Sequence, residues 1–309
     1  MSLRAIAPGP SATVQDGGRF GFRAFGVPVS GPFDRVSAAI ANALVGNAVV
    51  AAVLEFNGFG GIFEAESEVA IGLAGAPTVA RVEPLDRPGR TLIIPCATML
   101  RTGDRLILGA ATVGFRLYLA VGGGLLTTEI LGSRSEERPI VAGELLPAKS
   151  SRTAELRTVL GRITPVNALL RYVDGPEGPL MGSATLEHRD YRIGRDSNRM
   201  GVRLEGERIA IDSPVKRLSA PVAPGSIQLA GGLPIVLGPA CGTMGGYPHI
   251  GSILSADLDR IAQARPGTIV QFHRVAINDA WRIDGEYRAD LATLAMRLAT
   301  AAGSIVPTG

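Results

Sequence analysis

Short runs of apolar residues separated by turn-forming residues recur along most of the chain. Runs of this length, bounded by glycine, proline and polar residues, are typical of β-strands. A succession of them is typical of β-barrels and β-sandwiches. The sequence therefore predicts a mainly β fold, with strands over residues 68–75, 91–94, 105–109, 115–121, 202–211, 227–230, 234–238 and 268–275.

Helical periodicity is confined to a few segments. Asp34 is placed to cap a helix that ends at Gly46. Ser255 is placed to cap a second helix, which ends before Pro266. The stretch 287–298 repeats apolar residues on one helical face, so a C-terminal amphipathic helix is expected there.

Two sequence echoes suggest that the halves of the chain are related. The motif D-x-x-R-x-G-x-R begins at Asp16 and again at Asp196. An Arg-x-Gly turn that leads into a strand occurs at 101–103 and again at 265–267. Repeated starts and ends of this kind predict two related β-lobes, one in each half.

Composition narrows the class of protein. A chain of 309 residues that is 46% hydrophobic can bury two cores without disulfide bonds, and its two cysteines form neither a disulfide framework nor a metal cluster. We therefore expect a cytoplasmic protein without a bound metal. No apolar run is long enough to span a membrane. Without a dense basic run interleaved with aromatic residues, nucleic acid is not expected as a partner.

The stretch ACGTMGGYPHI, residues 240–250, concentrates candidate chemistry. A phosphate-binding P-loop needs a lysine and a following helix, and this stretch offers neither. Its backbone N–H groups could bind an anion, or its glycines could simply form a turn between strands. Cys241 and His249 could form a nucleophile and base, although a lone cysteine in an apolar context is more often inert packing.

Six motifs occur in the order seen in one protein family. The motifs are TVQDGGRFGFRAFGVPVSGPFD (13–34), ANALVGN (41–47), YLAVGGG to LGSRS (118–135), SNRMGVRLEG (197–206), GSIQLAGGLPIVL (225–237) and GGYPHI (245–250). Together they resemble the carboxyltransferase A/B-subdomain family, which includes the C-type subunit of 5-oxoprolinase, allophanate hydrolase subunit 2 and the carboxyltransferase region of urea amidolyase.

The resemblance implies a fold, partners and an activity. Each lobe would be a cyclophilin-like β-barrel, with lobe A over residues 1–145 and lobe B, with the C-terminal helix, over residues 146–309. The chain would pair with a smaller B-type subunit, and in the 5-oxoprolinase members also with an A-type subunit. ATP would be used by the complex through the partner subunits, and biotin would matter only for a carboxyltransferase.

The resemblance also implies a ligand site beside the GGYP loop and the S-x-R-M-G segment. The substrate-binding residues expected there are Arg19, Asn198, Arg199, Met200, Gly201, Thr243, Gly245, Gly246, Tyr247, Pro248 and His249. The family pattern resembles D-x-Q-T-x-G-G-Y-P-R, and this chain departs from it at Ala240, Gly242 and His249. Two polar side chains that could hydrogen-bond an amide are thereby absent from the loop.

Three functions remain open on the sequence. The chain is expected to be a subunit of an ATP-dependent amide or lactam hydrolase, nearest to 5-oxoprolinase, which converts 5-oxo-L-proline to L-glutamate. It could instead be a biotin-dependent carboxyltransferase acting on urea or a similar amide. It could also be a non-catalytic regulatory protein that binds a B-type, kinase-inhibitor-like subunit. The absence of two polar side chains from the loop makes this regulatory option more favourable than it would be for a chain that kept them.

Overall fold

The computed structural model describes residues 1–150, 169–181, 185–210 and 218–303. By internal packing the chain divides into two units. The first comprises Met1–Gly18, Asp34–Ile163 and Asp290–Gly309, and the second comprises Arg19–Phe33 and Thr164–Ala289. Both units are discontinuous in sequence. The division between residues 145 and 146 stays a prediction, and residues 151–168, which follow it, lie outside the described residues.

Two sheets with one shared core form the first unit. Phe56 and Phe63, one from each sheet, meet edge to face with ring centroids 5.7 Å apart. One sheet has the strand order β11-β1-β4-β9-β6-β7 and the other β2-β3-β10-β5-β8. The strands are β1 Ser2–Ala7, β2 Thr13–Gln15, β3 Val53–Asn57, β4 Ile62–Ala65, β5 Val69–Gly75, β6 Thr78–Glu83, β7 Arg90–Leu92, β8 Cys96–Leu100, β9 Arg105–Ala111, β10 Arg116–Val121 and β11 Leu145–Pro147.

Helix α1, Arg35–Leu44, covers the other face of the second of these sheets. The expected cap is confirmed, since Asp34 accepts a hydrogen bond from the backbone N–H of Ser37 at 3.0 Å. The helix lies very close to the sheet: a Cβ on Gly72 would come within 2.3 Å of the carbonyl oxygen of Ala41. Small residues on the sheet are therefore a requirement of this packing.

A closed barrel forms the second unit. Seven of its described strands follow one another in the order β12-β19-β16-β17-β14-β13-β20. Tyr172 and Tyr191 each pack edge to face on Phe272, at 6.0 and 5.8 Å between ring centroids, so side chains fill the barrel interior. The strands of this unit are β12 Leu169–Asp174, β13 Tyr191–Ile193, β14 Gly201–Glu205, β15 Ala220–Pro221, β16 Ser226–Ala230, β17 Leu233–Leu237, β18 Met244–Gly245, β19 His249–Ile253 and β20 Ile269–Arg274.

The remaining helices differ in detail from the sequence prediction. Helix α2, Ser255–Ala262, has Leu254 rather than Ser255 at its N-cap, without a side-chain cap. The buried carboxylate of Asp257 holds it to β12 through two hydrogen bonds from the Arg171 guanidinium. Helix α3, Ile277–Gly303, begins well before residue 287. The side chains of Ala295 and Leu298, expected on its apolar face, lie outside the described part of the chain.

The mainly β fold is confirmed. The two Arg-x-Gly segments are also confirmed as turns that lead into strands. Gly103 and Gly267 both adopt left-handed backbone conformations, with φ of 84° and 90°, and each precedes a strand.

A closed barrel is present in the second unit, whereas the described strands of the first unit form two sheets. The strand expected over 202–211 ends at Glu205. No helix among the described residues is long and apolar enough to cross a membrane.

Candidate functional site

The candidate site lies on the outer wall of the barrel. In the strand register Gln228 of β16 is beside Ile235 of β17, and Ile235 is beside Arg203 of β14. Residues that alternate with these, such as Val202 and Val236, belong to the barrel core. Because side chains alternate between the two faces of a strand, Gln228, Ile235 and Arg203 form one row on the outside.

This row forms part of the lining of a pocket of about 240 Å³. Strands supply one part of the lining, and the loop that follows β17 supplies much of the rest. All of the lining residues belong to the second unit. Its lining residues are Asn198, Met200, Gly201, Arg203, Val222, Gln228, Ile235, Leu237, Cys241, Gly242, Met244 and Tyr247.

Main-chain hydrogen bonds hold the loop after β17 in place. The N–H of Cys241 donates to Gly238 O at 3.1 Å, and the N–H of Val222 donates to Thr243 O at 3.0 Å. The short strands β15 and β18 pair along the same loop. Main-chain hydrogen bonds therefore fix much of this side of the pocket.

Gln228 presents a buried amide to the pocket. The residue is 4% exposed, and its Nε2 donates to the carbonyl oxygen of Tyr247 at 3.2 Å. Its Oε1 is therefore the atom that remains to accept a hydrogen bond from a ligand. A Cβ on Gly245 would come within 2.3 Å of Nε2, so this position of the amide is possible only because Gly245 has no side chain.

Two further polar groups complete the lining. Arg203 is exposed, and among the residues that the structure describes its guanidinium has no hydrogen-bond or ion-pair partner. Asn198 accepts hydrogen bonds from the backbone N–H of Met200 at 2.8 Å and of Gly201 at 3.3 Å, which leaves its Nδ2 to donate. The pocket lining thus contains a cation, an amide acceptor and an amide donor, and its other residues are mainly apolar.

Only some of the residues expected from the sequence reach this pocket. Asn198, Met200, Gly201 and Tyr247 line it. Thr243, Gly245, Gly246 and Pro248 belong to the surrounding loop, where the carbonyl oxygens of Thr243 and Pro248 accept main-chain hydrogen bonds. These four residues contribute to the loop conformation, and contact with substrate stays a prediction for all eight residues.

The two expected arginines are placed differently. Arg199 is buried and donates through Nη2 to Gly31 O at 2.7 Å, and the N–H of Ser30 donates to Pro239 O at 2.9 Å. Arg199 therefore anchors the segment 19–33 within the second unit. Arg19 is half-buried, and neither arginine is among the lining residues.

His249 and Cys241 do not form an activated nucleophile. The ring of His249 is hydrogen-bonded through Nε2 to Ser252 Oγ at 3.1 Å, and burial lowers its pKa. Burial raises the pKa of the Cys241 thiol, and the nearby Arg23 guanidinium offsets only part of this effect. A thiol with a raised pKa is a poor nucleophile, so the arrangement favours packing. Among the described residues no three His, Cys, Asp or Glu side chains come together as potential metal ligands.

Sequence reasoning missed Gln228, Ile235 and Leu237 as site residues, and it noted Arg203 only as part of the repeated motif. Each lies on a strand at a position that alternates with core residues. Polar residues at such outward positions are common on any exposed sheet. Only the loop that folds over them turns this stretch of wall into a pocket.

The sequence profile described as carboxyltransferase domain, subdomain A and B, matches residues 25–274. The chain belongs to this family. It is 31% identical over 310 residues to the C-type subunit of 5-oxoprolinase from Escherichia coli (strain K12), covering 96% of this chain and 98% of that protein. It is 27% identical to urea amidolyase of Lachancea kluyveri over 95% of this chain but only 18% of that protein.

A solved relative has the same carboxyltransferase-family fold. The crystal structure of TTHA0988 superposes with a TM-score of 0.80 at 32% identity and covers 88% of this chain. This chain spans only 56% of that one. The 5-oxoprolinase relative, covered almost completely, is therefore the better match in length.

Proposed function

We propose that this chain is the C-type subunit of an ATP-dependent hydrolase that opens the lactam of 5-oxoproline, and that the pocket on the barrel wall holds the lactam. The observation that carries the proposal is the pocket lining, in which a cation and amide groups surround apolar side chains. The sequence identity of 31% to the C-type subunit of 5-oxoprolinase, over almost the whole of both chains, supports the proposal.

The chemistry of the substrate fits this lining. 5-Oxoproline has a small ring whose methylene groups are apolar, a lactam that both donates and accepts hydrogen bonds, and a carboxylate. Ile235 and Leu237 offer the ring an apolar surface, and Asn198 Nδ2 can donate to the lactam oxygen. Negative charge builds up on that oxygen when the lactam is activated, so a fixed donor there would also assist the reaction.

ATP supplies the driving force for the reaction in the complex. This chain carries no lysine-containing phosphate loop, so we place ATP use on the partner subunits. The residues of this chain would bind and orient the lactam, while the B-type and A-type partners would complete the enzyme. A cytoplasmic location follows from the same proposal.

Urea is a less suitable ligand for this pocket. Urea has no carboxylate to pair with Arg203 and no apolar surface to cover Ile235 or Leu237. A carboxyltransferase would also need carboxybiotin from another protein. The regulatory alternative rests on the departures at Ala240 and Gly242, which remove side chains from the loop but leave its backbone hydrogen bonds in place.

Reconstitution tests the proposal. The chain is co-expressed with its B-type and A-type partners, and ADP and glutamate formation are measured with and without 5-oxoproline. The Escherichia coli enzyme assembled in the same way is the positive control. We expect 5-oxoproline to stimulate ATP hydrolysis with matching glutamate release. A complex that assembles but shows no stimulation would refute the hydrolase proposal and favour the regulatory one.

A further inference from the structure

We propose that Arg203 and Gln228 select the ligand of the barrel-wall pocket: Arg203 binds a carboxylate, and Gln228 accepts the N–H of a lactam. The ligand class is therefore a small apolar ring that carries both groups. This inference rests on the proposed function, because it assigns the recognition of the same substrate to two residues.

The geometry of the sheet places these two groups at a fixed separation. Gln228, Ile235 and Arg203 occupy one row across three neighbouring strands. Two strand spacings separate the outer members by about 9–10 Å between their backbones. Ile235 lies between them, so an apolar ring on Ile235 would have a charged group on one side and an amide on the other.

Arg203 is suited to an anionic group of the ligand. A guanidinium presents paired N–H donors that match the two oxygens of a carboxylate. Within the described parts of the chain Arg203 has no ion-pair partner, whereas Arg87, Arg171 and Arg199 are each paired with a carboxylate or a carbonyl oxygen. A carboxylate bound here would gain a charge-assisted hydrogen bond without breaking an existing ion pair.

Gln228 is suited to a neutral N–H donor. Its Nε2 is held by Tyr247 O, which leaves Oε1 as the acceptor. Gly245 is the positioning residue, since any side chain there would displace the end of Gln228. Gly245 does not adopt a left-handed conformation, so the constraint is the space that Gln228 occupies rather than backbone strain.

Three ligands distinguish the contribution of the Arg203 contact from that of the Gln228 contact. Their binding is measured with the full chain, alone and in complex. 5-Oxoproline carries both groups, cyclopentanecarboxylate lacks the lactam, and 2-pyrrolidone lacks the carboxylate. Affinities are measured by calorimetry. For the wild-type chain we expect 5-oxoproline to bind about ten- to hundredfold more tightly than 2-pyrrolidone, and about three- to tenfold more tightly than cyclopentanecarboxylate.

Variants assign each preference to its residue. Arg203→Met should reduce the ratio of the affinities for 5-oxoproline and 2-pyrrolidone to about one. Gln228→Leu should reduce the ratio of the affinities for 5-oxoproline and cyclopentanecarboxylate to about one. Arg195→Met removes the same charge from an exposed position outside the lining and should change neither ratio. Equal weakening of all ligands by Arg203→Met would contradict a role in carboxylate recognition.

A double substitution tests the positioning role of Gly245. Gly245→Ala should lower the affinity for 5-oxoproline about as much as Gln228→Leu does, with an unchanged urea unfolding midpoint. In the Gln228→Leu background, Gly245→Ala should have no further effect. An effect of the same size in both backgrounds would show that Gly245 does not act through Gln228.

The outcomes distinguish this inference from the proposed function. If the wild-type preferences depend on Arg203 and Gln228 but the reconstituted complex does not hydrolyse ATP in response to 5-oxoproline, the recognition inference stands and the hydrolase proposal fails. If the complex is active and Arg203→Met keeps the preference for the carboxylate, only the inference fails. No binding of 5-oxoproline to the wild-type chain, alone or in complex, would also overturn it.

Discussion

Asp16 is a carboxylate that ties two distant segments together within the first unit. It accepts hydrogen bonds from Ser133 Oγ at 2.6 Å, from the N–H of Arg134 at 2.6 Å and from Ser135 Oγ at 2.7 Å. Burial alone would raise its pKa, but these bonds, with one from Gly18, outweigh burial and lower it. The charged form of Asp16 is therefore the form that the fold prefers.

The pH dependence of stability follows from this preference. Because the folded-state pKa lies below the unfolded one, the stabilisation is present above the usual aspartate pKa of about 4 and is lost as pH falls through the folded value. Asp16→Asn should lower the free energy of unfolding by about 1–3 kcal/mol at pH 7. Urea titrations should show that this difference shrinks towards pH 3.

Asp196 provides the matched control for Asp16. It occupies the equivalent position of the repeated motif but is exposed. Asp196→Asn should leave the unfolding free energy within about 0.5 kcal/mol of wild type. A difference between wild type and Asp16→Asn that stays constant from pH 7 to pH 3 would contradict a role for the charge.

At the scale of elements, a buried hydrogen-bond network holds helix α1 to its sheet. The hydroxyl of Tyr118 on β10 donates to Glu55 Oε2 at 2.8 Å and accepts from the N–H of Asp34 at 2.8 Å. Arg116 lies 3.4 Å from the other oxygen of Glu55. The helix cap and two strands are thus joined through one phenol group.

Tyr118→Phe should destabilise the protein by about 1–3 kcal/mol, because it removes a hydrogen bond from two buried groups at once. Tyr191→Phe is the control. That tyrosine is also buried, but its hydroxyl lacks a well-placed hydrogen-bond partner among the described residues. Urea unfolding of both variants gives the comparison, and equal losses would indicate that packing rather than the network is responsible.

Much of the element content could be predicted from local pattern. Capping by Asp34 and the turns at Gly103 and Gly267 depend on neighbouring residues, and the structure confirms all three. Strand β14 is shorter than its pattern indicated, because apolar residues recur in the sequence at 209 and 211 while the strand pairing stops at Glu205. Pairing partners lie far away in sequence, so periodicity alone does not fix where a strand ends.

The pocket was harder to predict than the loop beside it. Motif order located Tyr247 and Asn198, which line the pocket. It also singled out Arg199, whose side chain is committed to Gly31. Gln228 and Arg203 become neighbours of one pocket only through the register of β16, β17 and β14, and register is a property of the assembled sheet.

At the scale of the whole molecule, each unit contains one buried thiol. Cys96 belongs to the first unit and Cys241 to the second, and both are free. Burial raises the pKa of Cys96 to about 11, and it raises the pKa of Cys241 as well. Thiols react as thiolates, so both should be protected while their unit is folded.

Single-thiol variants should therefore report the unfolding of each unit separately. At pH 8 the Cys96 thiol, followed in Cys241→Ser, should react with a disulfide reagent at least about a hundredfold more slowly in the native protein than in urea, from its pKa alone. Cys96→Ser follows the second unit in the same way. Rapid labelling of either thiol without denaturant would contradict the burial seen here.

The position of the pocket on the outside of a filled barrel has a consequence for the history of this family. Along β14, β16 and β17, neighbouring residues have different surroundings: one side chain fills the barrel and the next faces the pocket. Substitutions at Arg203, Gln228 or Ile235 leave the barrel core untouched. Descendants of one ancestral barrel can therefore acquire different substrates while inheriting the same core.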